Sequence, residues 1–278
     1  IGFLFGLSNI QNLWPYLIFY LPNLYIMLKG TWLGIWDHLW SLAVEEQYYL
    51  IFPYFILFLN PKRYIWLFLG MLVIGFGTRM GFYLIAPHSL KESEWMWWYV
   101  NPFSALDCFG LGGFLAYLFH YQEASFQDFK FLKTGLILSL VFFFVILYFA
   151  SESTFPHDNL WSVAFERISG AVLAFFLIAL SIRKDTWRLS PFLKGRIVSY
   201  LGKISYGIYL YHNVVMNYYH DSGNTIWYYL NAHLPDFHLE IVKFTCYKFV
   251  ICLAILISLS SVSWYFIEKP INKYKDRI

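Results

Sequence analysis

Eight stretches of this chain are long and apolar enough to cross the hydrocarbon core of a bilayer, and no other feature restricts its fold as tightly. They fall at roughly 13–29, 42–59, 65–85, 103–120, 132–150, 162–182, 201–219 and 243–267. A helical crossing needs about 20 such residues. Backbone N–H and C=O groups find no water in lipid, so runs of this kind must fold as helices. The expected fold is therefore an all-α, polytopic transmembrane bundle. Charge supports it: only 13% of the 278 residues are charged and 59% are hydrophobic, against about 25% charge in a soluble domain. The first stretch is the least regular, because Pro15 and Pro22 interrupt it.

The connections between these stretches set an orientation. Residues 60–64, 122–133, 183–203 and the C-terminal tail hold fourteen of the 20 Lys and Arg residues, including Lys62, Arg63, Lys130, Arg183, Arg196, Lys203 and Lys269. The connections between them are acidic or nearly neutral, with Glu92, Glu94, Glu152, Asp158, Asp221, Asp236 and Glu240. Basic loops stay cytoplasmic. The alternation predicts a multi-pass protein of the cell membrane whose 42–59 helix runs inward and whose C-terminus is cytoplasmic.

Eight ionisable residues inside these stretches are the candidates for function: Glu45, Glu46, Arg79, Asp107, Glu166, Arg167, His212 and Lys248. A charge near the bilayer centre costs roughly 2.5–3.5 kcal/mol on insertion scales, so such residues usually face a cavity and function there. At about 1.5 Å per residue, the predicted topology places all eight in the outer half of the membrane. Snorkelling to the interface is the simpler reading for Lys248, Glu166 and Arg167, which lie nearest helix ends. For Arg79, Asp107 and His212, further in, an outward-opening polar cavity is the sharper one. Acids, an arginine and a histidine are groups suited to proton transfer and to holding a polar or anionic substrate. Cys108, Cys246 and Cys252 lie in apolar stretches without metal-ligand or disulfide spacing and read as small buried hydrophobes. No metal is expected.

Residues 38–53 read HLWSLAVEEQYYLIFP. Trp40 sits at the predicted outer boundary, Ser41 is placed to N-cap the helix, and Glu45 and Glu46 follow near its positive dipole end. Taken alone, this is a polar helix start. The segment nevertheless resembles the signature of the acyltransferase 3 family, membrane enzymes that O-acetylate bacterial cell-surface glycans. SYLGKISYGIYLYHNVV at 199–215 resembles the family's later Ser, Tyr, Tyr and His pattern, and SWYFIEKP at 263–270 its closing helix. LDCFGLGGFLAYL at 106–118 is a weaker match. Each also has a plain structural reading. Ser205, Tyr206, Tyr209 and His212 fit a packing stripe; Gly110, Gly112 and Gly113 fit close helix approach; Pro270 fits a helix stop after Glu268.

The resemblance implies transfer of an acyl group, acetyl foremost, from acyl-CoA to a hydroxyl of a surface or exported carbohydrate, with no bound cofactor. It implies Glu45, Glu46 and His212 as catalytic candidates, the two acids binding the acceptor or orienting a base. Trp40, Ser41, Arg79, Asp107, Tyr206 and Tyr209 are the substrate-binding candidates, with Arg79 on the donor's phosphates or on a developing negative charge. Expected partners are the carbohydrate, acyl-CoA and the lipid bilayer, with no nucleic acid. The family also implies an early helix whose catalytic His follows an Arg or Lys by ten residues, and nothing in residues 1–40 matches it. His38 stands in the outer loop and is not a substitute. The chain starts at Ile1 without a signal-peptide pattern. It therefore reads as one membrane-embedded acyltransferase domain over 1–278 that lacks about two of ten helices and is inactive alone. A transporter or flippase is the alternative, since intramembrane charges serve both, although no internal repeat is visible. A non-catalytic scaffold is a further alternative.

Overall fold

The computed structural model describes residues 10–85, 95–121, 129–151, 159–182, 190–216, 226–233 and 246–275. Every regular element among them is helical. Among the described residues, five helical stretches are long and apolar enough to cross a membrane: Pro61–Ile85, Pro102–Tyr121, Phe129–Ser151, Leu160–Ile182 and Tyr247–Tyr274. The chain is an all-α, multi-pass membrane protein. Most of the acidic connections, the 183–188 basic cluster, and positions 217–219 and 243–245 of two expected spans lie outside the described residues.

The stretch expected at 13–29 is two helices, α1 (Ile10–Ile18) and α2 (Pro22–Lys29). Tyr20 between them has φ 54°, and Pro22 opens α2. Proline has no N–H to continue the first helix and suits the first turn of the next. α3 (Leu39–Phe58) has 20 residues, enough for a crossing, but it carries Glu45, Glu46 and Gln47. It also starts upstream of the expected cap. A 3₁₀ turn at Gly34–Trp36 leads into it through Asp37, which already has helical angles. Ser41 therefore lies inside the first turn and is not the N-cap.

The described chain forms two compact units. One comprises Pro15–Thr31 and Trp40–Ser190. It contains α2, α3 from Trp40 on, α4 (Tyr64–Ile85), the short α5 (Trp95–Tyr99), a 3₁₀ turn at Pro102–Ala105, α6 (Leu106–Tyr121), α7 (Phe129–Ser151) and α8 (Leu160–Ile182). Asn60 and Asn101 hold the entries to α4 and α6 by accepting from the amides of Lys62 and Phe103. Within this unit α7 packs along α8, α4 packs along α6, and both α4 and α6 touch α8. Tyr64, Phe68 and Met71 of α4 form a core with Tyr48, Phe52, Phe109 and Tyr117. Gly110 and Gly113 permit that approach: a Cβ at 110 would stand 3.0 Å from the Phe68 carbonyl oxygen, and one at 113 would strike the Phe68 ring. Gly112, expected to share this role, faces open space.

The other unit comprises Ile1–Trp14, Trp32–Leu39 and Pro191–Ile278. It holds α9 (Ser190–Leu193) from Pro191 on, α10 (Arg196–Met216), α11 (Ile226–His233), α12 (Cys246–Ser263) and α13 (Lys269–Lys275). α10 packs along α12, with α11 touching both, around Val215, Cys252 and Leu256. Lys248 is fully buried, so snorkelling does not describe it. The expected stop at Pro270 is corrected. A π-helical turn at Trp264–Glu268 joins α12 to α13, and helix continues past the proline to Lys275. Proline cannot bond to the carbonyl four residues back and clashes with it. The wider turn, in which Lys269 N–H reaches Trp264 O, moves that bonding register and lets the helix continue.

Candidate functional site

Arg79 of α4 and Asp107 at the start of α6 meet as a buried ion pair, 1% and 0% exposed. A guanidinium has five N–H groups, and here each has an acceptor. Nε donates to Val163 O at 3.0 Å. Nη1 donates to Ser104 O and to Asp107 Oδ1. Nη2 donates to Asp107 Oδ2 at 2.5 Å and to Ala164 O at 3.3 Å. One side chain thereby ties α4, the 3₁₀ turn before α6, α6 itself and α8. No donor remains for a phosphate. Gly75, one helical turn before Arg79, makes room for Asp107.

A second arginine lies one turn further along α8. Arg167 is half-buried. Its Nη2 donates to Tyr99 O and its Nη1 to Ser104 Oγ at 3.4 Å. Its guanidinium carbon stands 4.6 Å from the Tyr99 ring centre and 5.3 Å from that of Trp40, and the two rings are 5.2 Å apart. Ser104 links the arginines, its carbonyl accepting from Arg79 and its hydroxyl from Arg167. Glu166 is exposed and accepts from Ser162 Oγ.

Along α3, Trp40 and Ser41 are half-buried, Glu45 is exposed and Glu46 is half-buried. The acids occupy the second turn, past the reach of the helix dipole's strongest effect. Gln47 beside them makes a reciprocal amide pair with buried Asn23, donating at 2.9 Å and accepting at 3.2 Å, and also donates to Tyr20 O. The polar residues of the signature thus divide: Gln47 pins α2 to α3, while the two acids stay accessible.

In the other unit, Tyr209 and His212 of α10 gather with His38. Tyr206, one turn earlier, is 48% exposed. The Tyr209 hydroxyl donates to the His38 carbonyl. His38 Nε2 lies 3.3 Å from Leu210 O, which a protonated Nε2 alone satisfies. His212 Nδ1 lies 2.5 Å from Tyr209 O; bonding there leaves the Nε2 lone pair free to accept a proton. The His38 and His212 rings are 4.7 Å apart. Burial first, and the nearby His212 second, push the His38 imidazole down to about 4.

A family model described as an acyltransferase domain matches residues 1–265. The chain belongs to the acyltransferase 3 family. A Staphylococcus aureus strain COL protein named "Putative O-acetyltransferase SACOL0978" is 30% identical over 247 residues, covering 85% of this chain and 36% of that protein. The "O-acetyltransferase OatA" of S. aureus strain NCTC 8325 is 26% identical over 241 residues, with the same coverage. The chain thus spans about a third of the length of these curated relatives. No solved structure matches it.

Of the candidate residues, Trp40, Ser41, Arg79, Asp107, Glu45 and Glu46 belong to one unit, and Tyr206, Tyr209 and His212 to the other. Arg79 and Asp107 are in direct contact, as are Tyr209 and His212. Reading the sequence missed Asn23, Tyr99 and Ser104, and it set His38 aside. No periodicity marks the first three, because each acts through hydrogen bonds or a ring face from a short helix or turn. His38 did carry a signal, standing two residues before the Trp-Ser pair of the signature.

Proposed function

We propose that the protein to which this chain belongs is a membrane O-acyltransferase. It moves an acyl group, acetyl foremost, from acyl-CoA to a hydroxyl of a cell-surface or exported carbohydrate, and residues 1–278 serve as one membrane-embedded domain. The observation that carries this reading is the family match over nearly the whole chain. The relatives' printed names, O-acetyltransferase, support acetyl. For topology we propose the eight crossings read above, with the C-terminus cytoplasmic; the alternation of basic and acidic loops supports it.

Chemically, a hydroxyl must lose its proton as it attacks a thioester carbonyl, and a positioned base is worth about 10²–10⁴-fold. Glu45 and Glu46, accessible in the second turn of α3, bind the acceptor or orient that base. His212, with Nε2 left as acceptor, contacts substrate or shares in proton transfer, and Tyr209 and Tyr206 flank it on α10. Trp40 and Ser41 contribute to the acceptor side. Arg79 and Asp107 tie α4, α6 and α8 together, the Arg79 donors all being engaged. The test is mass spectrometry of surface glycans from cells carrying the full-length gene, its deletion, and Glu45→Gln or Glu46→Gln. Loss of O-acylation on deletion and in either variant is expected. An unchanged glycan on deletion overturns the function, and full acylation in both variants overturns the carboxylate assignment.

A further inference from the structure

We propose that Arg167 is the residue that meets the negative charge of the acyl transfer, donating uncommitted N–H groups to the acyl carbonyl oxygen as it becomes an oxyanion. This rests on the acyl-transfer reading above and adds to it a named group at the reacting atom.

The charge count points to Arg167. Of the two arginines joined through Ser104, Arg79 has its carboxylate in Asp107. Among the described residues, Arg167 has no carboxylate within ion-pair distance. Glu166 beside it is exposed and bonded to Ser162. What holds Arg167 is neutral: the Tyr99 carbonyl, the Ser104 hydroxyl, and the faces of Trp40 and Tyr99. Ring faces attract a guanidinium electrostatically, which holds it without neutralising it. Three of its five N–H groups are uncommitted among the described residues, whereas Arg79 has none.

An uncompensated cation in a half-buried setting is stabilised by an anion, and one that forms only in the transition state gives the catalytic advantage. The support is rigid. Ser104 is fixed by its carbonyl's bond to Arg79 and by its own hydroxyl bond to Asn101 O at 2.7 Å. Trp40 belongs to the helix that carries Glu45 and Glu46, which follow it by about 7.5 and 9 Å along the axis at 1.5 Å per residue. A single positive charge matches the single charge of an oxyanion. The several charges of a phosphorylated donor would call for more cations, and Arg79 is already engaged.

The step balances as follows. The acceptor hydroxyl oxygen bonds to the thioester carbonyl carbon as its proton passes to the base. The C=O π pair moves onto oxygen beside Arg167. The pair then returns, the C–S bond breaks, and the departing CoA thiolate takes up the proton.

The test uses the full-length protein in membranes, with kcat and KM measured separately for an acetyl-CoA donor and a carbohydrate acceptor. Arg167→Gln is expected to lower kcat by about 100-fold or more, the scale of losing one oxyanion donor, with both KM values within about threefold of wild type. Arg167→Lys keeps a charge but loses the planar stack, and its kcat is expected to fall at least tenfold. If the Gln variant fails to accumulate, the Lys variant alone decides on that tenfold mark, and a smaller loss overturns the proposal. A raised donor KM with kcat preserved also overturns it, by assigning Arg167 to ground-state phosphate binding. Should the wild type move no acetyl group, the acyl-transfer reading fails first; should the wild type be active and Arg167→Gln match it, only the role of Arg167 fails.

Discussion

Gly75 and Asp107 face each other so closely that a Cβ on Gly75 would stand 2.5 Å from the Asp107 amide nitrogen and 2.9 Å from its Cβ. The neighbouring atom is backbone, so it cannot swing aside as a flexible side-chain tip would. α4 and α6 can bring Arg79 and Asp107 together only because position 75 carries no side chain.

Gly75→Ala is therefore expected to lower stability. Helix propensity favours alanine by about 1 kcal/mol, but overpacking a close contact costs about 1–3 kcal/mol, and the clash here is severe. Gly112→Ala, into open space, keeps the propensity gain. Thermal unfolding of the detergent-solubilised protein checks the pair: Gly112→Ala should melt at or above wild type and Gly75→Ala below it. The reverse order would contradict the close contact.

Asp107→Ala leaves the Arg79 guanidinium buried without its counter-ion, a loss of about 3–5 kcal/mol for breaking a buried pair. Replacing both partners by apolar residues removes that stranded charge. The double variant Arg79→Met with Asp107→Leu is thus expected to accumulate better than Asp107→Ala, while still losing the bonds that Arg79 makes to Val163, Ala164 and Ser104. Membrane accumulation and unfolding temperature measure both, and a double variant worse than Asp107→Ala would show that those carbonyl bonds dominate.

His38, in the turn before α3, predicts a pH response. Its imidazole is held at about 4 in the folded protein, against about 6.5 in an unfolded chain. Between these values the unfolded state binds the proton and the folded state does not, so the stability His38 contributes is whole above about 6.5 and declines as pH falls toward 4. His38→Gln removes that group. The gap in unfolding temperature between wild type and variant should narrow as pH falls from 7 to 4.5, and curves that stay parallel would refute it.

Much of the fold was legible because lipid leaves the backbone few options. Residues 64–85, 129–151 and 160–182 are helical within a few residues of their apolar runs. Pro22 was legible as an interruption for the same local reason. Pro270 was misread, because the π turn that accommodates it depends on backbone register upstream and not on residue type. Ser41 was misread as a cap because helical angles begin in the 3₁₀ turn before it.

For the site, the sequence by itself marked the candidates: acids at 45 and 46, cations at 79 and 167 and a histidine at 212, each conspicuous in an apolar chain. Tertiary structure alone decided how those charges are partnered. Arg79 looked suited to an anion and proved saturated, while Arg167 looked like an interfacial residue and proved to be held by neutral groups. The physical reason is that a side chain's free donors depend on main-chain carbonyls and ring faces supplied by other helices, and these leave no trace in residue identity or spacing.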